Sequence, residues 1–301
     1  MNVLVIAEHW PVASGRYALD ALRRLGHDAR SAGPTHEPPN AIWGGTVDDR
    51  YIWTPSTIEA NWTPDLVIIM DGNLPPPIKS WQCPTVVYGV DNHVRDYHQF
   101  DPITDHFFLA HGHGARMGEE NVTWLPCGYD PTVFTPGPAW SERQWDAALI
   151  GVQYPARAEL LYTLLTGLPG ITIQYGAGAV YDQFAAVYQQ SRISLVRSAA
   201  GDVAQRVWET AAMGCLIVMD QCADAEALGL VDSLNYCPYQ SPLQAYHIVD
   251  WALHYPKSAE EVAQRGMKWA QSGTWDARLQ VIIDWAEAQR PATMRRKKSQ
   301  E

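Results

Sequence analysis

The 301-residue chain has 22 lysines and arginines against 33 aspartates and glutamates, so its formal net charge is −11. This balance excludes a protein that coats nucleic acid or anionic membranes by bulk charge, and no apolar run approaches the ~20 residues that a membrane-spanning helix needs. Hydrophobic residues make up 47% of the sequence, enough to build the cores of two domains of about 150 residues each.

The first half of the chain predicts a series of buried strands. A strand at residues 3–7 is followed by Glu8, which argues against a secretory signal. Leucines recurring every three residues along 19–25 predict a helix, so the chain opens with a Rossmann-like unit. Gly-x-Gly-x-x-Gly is absent, so no nicotinamide or flavin site is predicted. Residues 31–63 predict irregular structure with room for one short strand, and further strands are predicted at 66–70, 85–90, 106–110 and 122–125.

The second half restarts the alternation after the linker-like Pro136-Gly137-Pro138. Two alternating series of strands and helices predict two parallel sheets, each covered on both faces. Strands are predicted at residues 147–151, 171–175, 193–196, 215–219 and 235–237. Helices are predicted at 157–165, 180–190, around 203–211, and at 243–254, 259–271 and 275–288.

One segment, residues 201–220, combines a predicted helix with a buried strand. Arg206 and Glu209 lie three apart, so they are neighbours on one helix surface, where an intrahelical salt bridge is one interpretation. The pattern Arg-x-x-Glu-x-x-Ala-x-Gly-Cys before an apolar strand resembles the donor-binding segment of group 1 glycosyltransferases, family 4-like. It is most similar to the CgeB-like spore-maturation branch. In that family the glutamate that Glu209 matches binds the ribose hydroxyls of a nucleotide sugar.

This resemblance implies a GT-B fold, in which two Rossmann-like domains face each other across a cleft. We expect residues 1–135 to form the acceptor-side domain and residues 136–275 the domain that binds the nucleotide-sugar donor. Residues 276–290 should form a helix that crosses back to the first domain, as the family implies. Residues 291–301 are predicted to be a disordered basic tail.

The predicted donor site collects cations, a carboxylate and glycines near the carboxyl ends of strands. A pyrophosphate needs cations or helix N-termini, and a carboxylate can accept from two ribose hydroxyls. We expect Arg157 and Arg206 to hold the diphosphate, while Tyr175 and Gly176 match a family loop beside the base. Arg157 alone is also compatible with a surface position, and Gly15 with an ordinary turn. The donor-binding candidates are Gly15, Arg157, Tyr175, Gly176, Ser198, Arg206 and Glu209.

Acids and imidazoles gather at the strand ends of the first half. Asp91 and His93 follow a predicted strand, and His93 is similar in position to the cleft histidine that contacts the transferred sugar in group 1 enzymes. His9 is a rival, because inverting GT-B enzymes often place a base after the first strand. His111-x-His113 leaves a metal site open as an alternative, but no third well-spaced ligand accompanies it, so no metal is predicted. The catalytic candidates are His93, Asp91 and His9.

The sequence departs from the retaining group 1 pattern of two glutamates with seven residues between them. Gly201 stands where the first glutamate is expected, with Asp202 next to it. The first acidic role is therefore missing or moved, and a retaining or an inverting outcome stays open.

These features predict a metal-independent glycosyltransferase of the hexosyltransferase type, without a cofactor, that uses a nucleotide-diphosphate sugar such as a UDP-sugar. The acceptor is left open among glycan, protein, small molecule and modified nucleic acid. Five cysteines without Cys-x-x-Cys favour a cytoplasmic location. Three alternatives remain: a nucleotide-sugar epimerase, a phosphorylase or other enzyme on the same fold, and a two-lobed nucleotide-sugar-binding protein without turnover.

Overall fold

The first sheet is built from six parallel strands, all drawn from the first half of the chain. The computed structural model describes residues 1–10, 13–35, 53–70, 81–198 and 200–289. The strands are ordered β2-β1-β3-β4-β5-β6, and every residue of the two central strands β3 and β4 is buried. Their bounds are β1 Asn2–Ile6, β2 Asp28–Ala32, β3 Leu66–Met70, β4 Thr85–Gly89, β5 His106–Leu109 and β6 Val122–Trp124, with helix α1 at Ser14–Arg24.

The second sheet has five parallel strands in the order β11-β10-β9-β7-β8, and no strand is shared with the first sheet. Its strands are β7 Trp145–Ile150, β8 Ile173–Gly176, β9 Ser191–Val196, β10 Leu216–Asp220 and β11 Cys237–Tyr239. The helices are α2 Pro155–Gly167, α3 Asp182–Gln189, α4 Gln205–Ala212, α5 Asp224–Ala227, α6 Pro242–His254, α7 Pro256–Ala270 and α8 Trp275–Gln289. The predicted α/β architecture with two parallel sheets is confirmed.

Differences from the predicted elements have local causes. Strand β2 was not predicted, because its sequence DARSA is short, small and polar, and it forms only by pairing with β1 at one edge of the sheet. The last strand lies at Cys237–Tyr239 rather than at 235–237, since pairing with β10 sets its register. Helix α4 begins at Gln205, so Val203 is buried just before it rather than on its face.

The last helix, α8, returns to the first sheet, as the GT-B resemblance implied. Trp275 at its start is fully buried, with its ring 5.4 Å from that of Tyr88 in β4. One turn from its end, Trp285 packs against His106 and Phe108 of β5, at ring distances of 5.1 and 6.0 Å. The two halves are therefore joined by the chain at residues 125–144 and again by this helix.

The predicted domain limits at 135/136 and 275/276 stay predictions, although the first sheet ends at Trp124 and the second begins at Trp145. The predicted basic tail at 291–301 lies outside the described residues. Of the predicted irregular region 31–63, residues 31–35 and 53–63 are described. Within the described ranges, no helix is long and apolar enough to cross a membrane.

Arg24 at the end of α1 holds two carboxylates together. It donates to buried Asp130 at 2.9 Å and to Asp276 in α8 at 2.7 Å, so one guanidinium connects the first helix, the inter-sheet segment and the last helix. Asp130 is only 1% exposed, and an ion buried without its partner is strongly unfavourable.

Replacing Arg24 with methionine should lower the free energy of unfolding by about 1–3 kcal/mol, because Asp130 would lose its cation while staying buried. Urea denaturation followed by circular dichroism measures this. Arg23→Met is the matched control, since Arg23 is half-exposed and its contact with Asp20 is 3.9 Å long. Equal effects of the two substitutions would show that Arg24 is only another surface charge.

Candidate functional site: an anion-binding cleft between the two sheets

The cleft lies where the strand order of the second sheet reverses. Strand β8 follows β7 on one side, while β9 lies on the other. In open parallel sheets such a switch point leaves a crevice at the carboxyl ends of the strands. Gly151 follows β7 and Ser198 follows β9, and both line a cleft of about 330 Å³. The topology therefore places the site beside the ends of β7 and β9.

Two arginine side chains meet at Gly151. Arg157 comes from the first turn of α2 and Arg206 from the first turn of α4. A Cβ atom at Gly151 would lie 2.5 Å from a guanidinium nitrogen of Arg206 and 2.9 Å from one of Arg157. Gly151 also has φ of 138°, which L side chains rarely adopt. Glycine is therefore required here for both arginines to approach the end of β7.

Neither arginine has a carboxylate partner among the described residues. Arg157 donates to the carbonyl oxygens of Val152, at 2.8 Å, and Arg197, at 3.3 Å. The Nε of Arg206 is buried and has no hydrogen-bond partner. Burial lowers the pKa of Arg157, and the charge of Arg206 lowers it further. Two converging cations with unused donors have the chemistry to bind an anion at this end of the cleft.

Glu209 lies one turn along α4 from Arg206 and is 7% exposed. Its Oε1 accepts from Gln205 Nε2 at 2.6 Å, and no ion pair joins it to Arg206, so the salt-bridge interpretation of the two residues is not what the structure shows. Burial raises the pKa of Glu209 to about 7, against smaller lowering effects of Gln205 and Arg206. A carboxylate kept buried with free acceptor capacity can bind ligand hydroxyls.

Ser198 lines the cleft, but its side chain is already engaged. Its backbone N–H donates to Asp220 at 2.7 Å, its hydroxyl donates to the same carboxylate, and Arg197 donates to it at 2.6 Å. Ser198 also accepts from the N–H of Gly201 at 3.0 Å. Asp220 therefore fixes the loop after β9, and Ser198 contributes to the site through that loop.

Four of the seven predicted donor-binding residues line one cleft: Arg157, Ser198, Arg206 and Glu209. The other three do not. Gly15 allows α1 to pack against Ala7, since a Cβ there would collide with the Cβ of Ala7. Tyr175 is 57% exposed. The carbonyl of Gly176 accepts from the N–H of Gly151 at 2.7 Å. Gly176 therefore contacts the backbone of Gly151 but does not line the cleft.

Sequence reasoning missed the aromatic wall of the cleft. Apart from its polar and charged residues, the lining is mostly aromatic and aliphatic, and it includes side chains from both halves of the chain. These are Tyr17, Phe134, Ile150, Val180, Tyr181, Phe184 and Val196. No motif signals this wall, because its members are scattered along the sequence and come together only when the halves pack.

The three predicted catalytic residues of the first half differ in burial and in their contacts. His93 lies against His111, with ring centroids 4.5 Å apart and planes at 84°, and its Nδ1 is buried without a partner. Asp91 is partly exposed, 4.0 Å from Arg95. His9 is fully buried, its Nε2 3.1 Å from the hydroxyl of Ser31. Within the described residues, His9 and His93 each retain a buried Nδ1 without a hydrogen-bond partner.

The loop after β5 reaches the second half of the chain, a contact that the sequence did not reveal. The Asp224 carboxylate at the start of α5 accepts from Gly112 N–H and lies 2.9 Å from His113 Nδ1. Burial lowers the pKa of His111, an effect that Asp202 across the cleft opposes. Within the described residues, no three histidine, cysteine, aspartate or glutamate side chains are grouped as a metal site.

The raised pKa of Glu209 predicts how stability depends on pH. An unfolded glutamate ionises near 4.5 and the folded one near 7, so ionisation between these values favours the unfolded chain. Glu209→Gln removes that penalty. The free energy of unfolding of Glu209→Gln minus that of the wild type should therefore rise by about 2–3 kcal/mol between pH 5 and pH 8. Denaturant titrations at both pH values test this, with the exposed Glu226→Gln as control. If the difference in unfolding free energy between Glu209→Gln and the wild type does not change with pH, the raised pKa of Glu209 is contradicted.

Comparisons with known proteins concern the family of the second half and the fold of the chain. Residues 137–284 match the family model described as glycosyl transferase-like, which spans the arginine pair and Glu209. No curated protein matches the chain by sequence. The family match covers only the second half, so similarity of the first half to known proteins rests on the comparison with solved structures.

Solved structures match along nearly the whole chain. Sucrose-phosphate synthase from Thermosynechococcus elongatus has a TM-score of 0.66 at 11% identity, covering 96% of this chain and 99% of that one. A glycosyltransferase from Rickettsia africae has a TM-score of 0.63 at 9% identity, with coverages of 95% and 98%. HepE from Anabaena, in complex with UDP-glucose, has a TM-score of 0.65 at 10% identity, with coverages of 96% and 100%.

At such low identities these likenesses establish the fold and leave substrates open. The closer resemblance to the CgeB-like branch stays a prediction. The chain is thus a glycosyltransferase with the GT-B fold, and its residues 137–284 match the glycosyl transferase-like family.

Proposed function

We propose that the protein transfers a hexosyl group from a UDP-sugar to an acceptor hydroxyl, without a metal ion and in the cytoplasm, and that it belongs to the CgeB-like branch. The observation that carries this proposal is the pair Arg157 and Arg206, which converge on Gly151 without a carboxylate partner among the described residues. A diphosphate supplies the missing negative charge and accepts from several guanidinium donors at once.

The rest of the cleft has the size and chemistry of a nucleotide-sugar site. A volume of about 330 Å³ lies within the range of small-molecule pockets, roughly 300–1,000 Å³. In this proposal Glu209 accepts from ribose hydroxyls, and the aromatic wall contacts the base. The complex of HepE with UDP-glucose supports uridine diphosphate as the leaving group.

The chemistry follows from where charge develops. As the bond between the anomeric carbon and the diphosphate oxygen breaks, negative charge grows on the diphosphate, and Arg157 and Arg206 stabilise it in place. The acceptor hydroxyl forms the new bond to the anomeric carbon and loses its proton. We propose His93, with Asp91 or His9 as alternatives, as the group that orients the sugar or takes that proton. Asp202 is buried and lines the same cleft, which supports it as the candidate for the acidic role that Gly201 cannot take.

Arg206→Gln should weaken UDP binding without lowering the stability of the ligand-free protein. With one cation removed, affinity for UDP should fall about 10–100-fold, because charge-assisted hydrogen bonds contribute ~1.5–3 kcal/mol each. The ligand-free variant should melt at the same or a higher temperature, since repulsion with Arg157 is relieved. Calorimetric titration and thermal unfolding measure the two effects. Arg192→Gln, at a cation paired with Asp146 at 2.8 Å, is the control, and unchanged UDP affinity in Arg206→Gln would remove the arginine pair from the site.

Turnover should not require a divalent cation, because the arginines neutralise the leaving diphosphate. UDP release from a panel of UDP-sugars, with and without a small hydroxylated acceptor, should continue at an unchanged rate in excess chelator. Activity that disappears in chelator and returns with manganese or magnesium would contradict the metal-independent mechanism. A protein that binds UDP-sugars but releases no UDP with any acceptor would instead be a binding protein.

A further inference from the structure

We propose that Tyr17, in the first half of the chain, is a further donor-binding residue whose hydroxyl binds one ribose hydroxyl while Glu209 binds the other. This inference rests on the proposed function, because it assumes that a nucleoside diphosphate occupies the cleft. Glu209 belongs to the segment that resembles known donor sites, whereas no sequence pattern points to Tyr17. The two residues lie on helices α4 and α1, which belong to opposite halves of the molecule.

The first argument is an unused hydroxyl. Tyr17 is 3% exposed and lines the same cleft as Glu209. Its hydroxyl has no hydrogen-bond partner among the described residues, whereas buried tyrosine hydroxyls usually find one. For comparison, the buried hydroxyl of Tyr88 donates to the carbonyl of Leu125 at 3.0 Å. A hydroxyl left unpaired at a cleft wall indicates that its partner is a ligand.

The second argument is chemical complementarity with Glu209. Burial raises the pKa of Tyr17 well above its usual range, and the charge of Glu209 raises it further, so the hydroxyl keeps its proton and can donate. Ionised Glu209 can only accept. A donor and an acceptor in the same cleft match a vicinal diol, in which one hydroxyl donates to the carboxylate and the other accepts from the phenol.

The third argument is how firmly Tyr17 is held. Its ring stacks on Tyr181 at 5.4 Å and 11°. The guanidinium of Arg16 lies 4.0 Å from the Tyr181 ring centroid, and the Tyr181 hydroxyl donates to Asp20 at 3.4 Å. Tyr181 has φ of 54° and ψ of −116°, a strained conformation of the kind that persists at ligand sites. Helix α1 therefore holds Tyr181, and the stacking on Tyr181 fixes Tyr17 in the cleft that Glu209 also lines.

The test compares Tyr17→Phe with wild type against UDP, 2′-deoxy-UDP and 3′-deoxy-UDP by calorimetric titration. Tyr17→Phe keeps the stacked ring and removes one donor. UDP affinity should fall about 3–10-fold, as expected for one neutral hydrogen bond. Affinity for one of the two deoxy analogues should not change, because that analogue lacks the hydroxyl that Tyr17 binds. The unaffected analogue then identifies the hydroxyl.

Tyr88→Phe is the matched control, since it removes a buried tyrosine hydroxyl that lies in the same half of the chain but away from the cleft. It should not alter the ratio of the affinity for UDP to the affinity for either deoxy analogue. If Tyr17→Phe lowers the affinity for all three ligands by the same factor, the inference is overturned, because Tyr17 would then act through packing. UDP binding that Glu209→Ala weakens but Tyr17→Phe does not would also overturn it, while leaving the proposed function standing. No UDP binding by the wild type would overturn both.

Discussion

The repulsion between Arg157 and Arg206 is the constraint on which the site depends. Two guanidinium groups converge on the end of β7, and no carboxylate among the described residues neutralises them. Such an arrangement is unfavourable in the empty protein and becomes favourable when an anion arrives. The surrounding structure must therefore hold both side chains in place. It does so by seating Arg157 on backbone carbonyls and by keeping Gly151 without a side chain.

The fold supplies this rigidity through the second sheet. Strand β9 lies between β7 and β10, so the loops after β7 and β9 are neighbours. Asp220 at the end of β10 fixes the loop after β9 through Ser198 and Arg197. Helix α4 then presents Arg206 to the anion site and Glu209 to the cavity. The same structural feature, a reversal of strand order, creates the crevice and supports its walls.

The first half contributes shape and contact rather than charge to the cleft. Tyr17 closes one wall, and the loop carrying His111 and His113 meets Asp224 of the second half. Helix α8 keeps the two halves together by placing Trp275 and Trp285 against the first sheet. The cleft is thus a property of the packed molecule, and neither half contains it alone.

The sequence by itself determined the elements and the helix that carries the site. Apolar runs predict buried strands such as Leu66–Met70 because a strand covered on both faces must be apolar throughout. The spacing of Arg206 and Glu209 put them on one helix surface. Edge strand β2 could not be predicted, because its pairing with β1 rather than its own composition forms it.

Only the tertiary structure decided which side chains meet. The convergence of Arg157 and Arg206, and the position of Tyr17 in the cleft that Glu209 also lines, follow from strand order and from the packing of two halves. Sequence periodicity reports which face of an element is buried, but it carries no information on what the element is buried against. For that reason Gly15, Tyr175 and Gly176, placed by local resemblance, lie outside the cleft lining, while Tyr17 and Tyr181, which no local pattern singles out, form its wall.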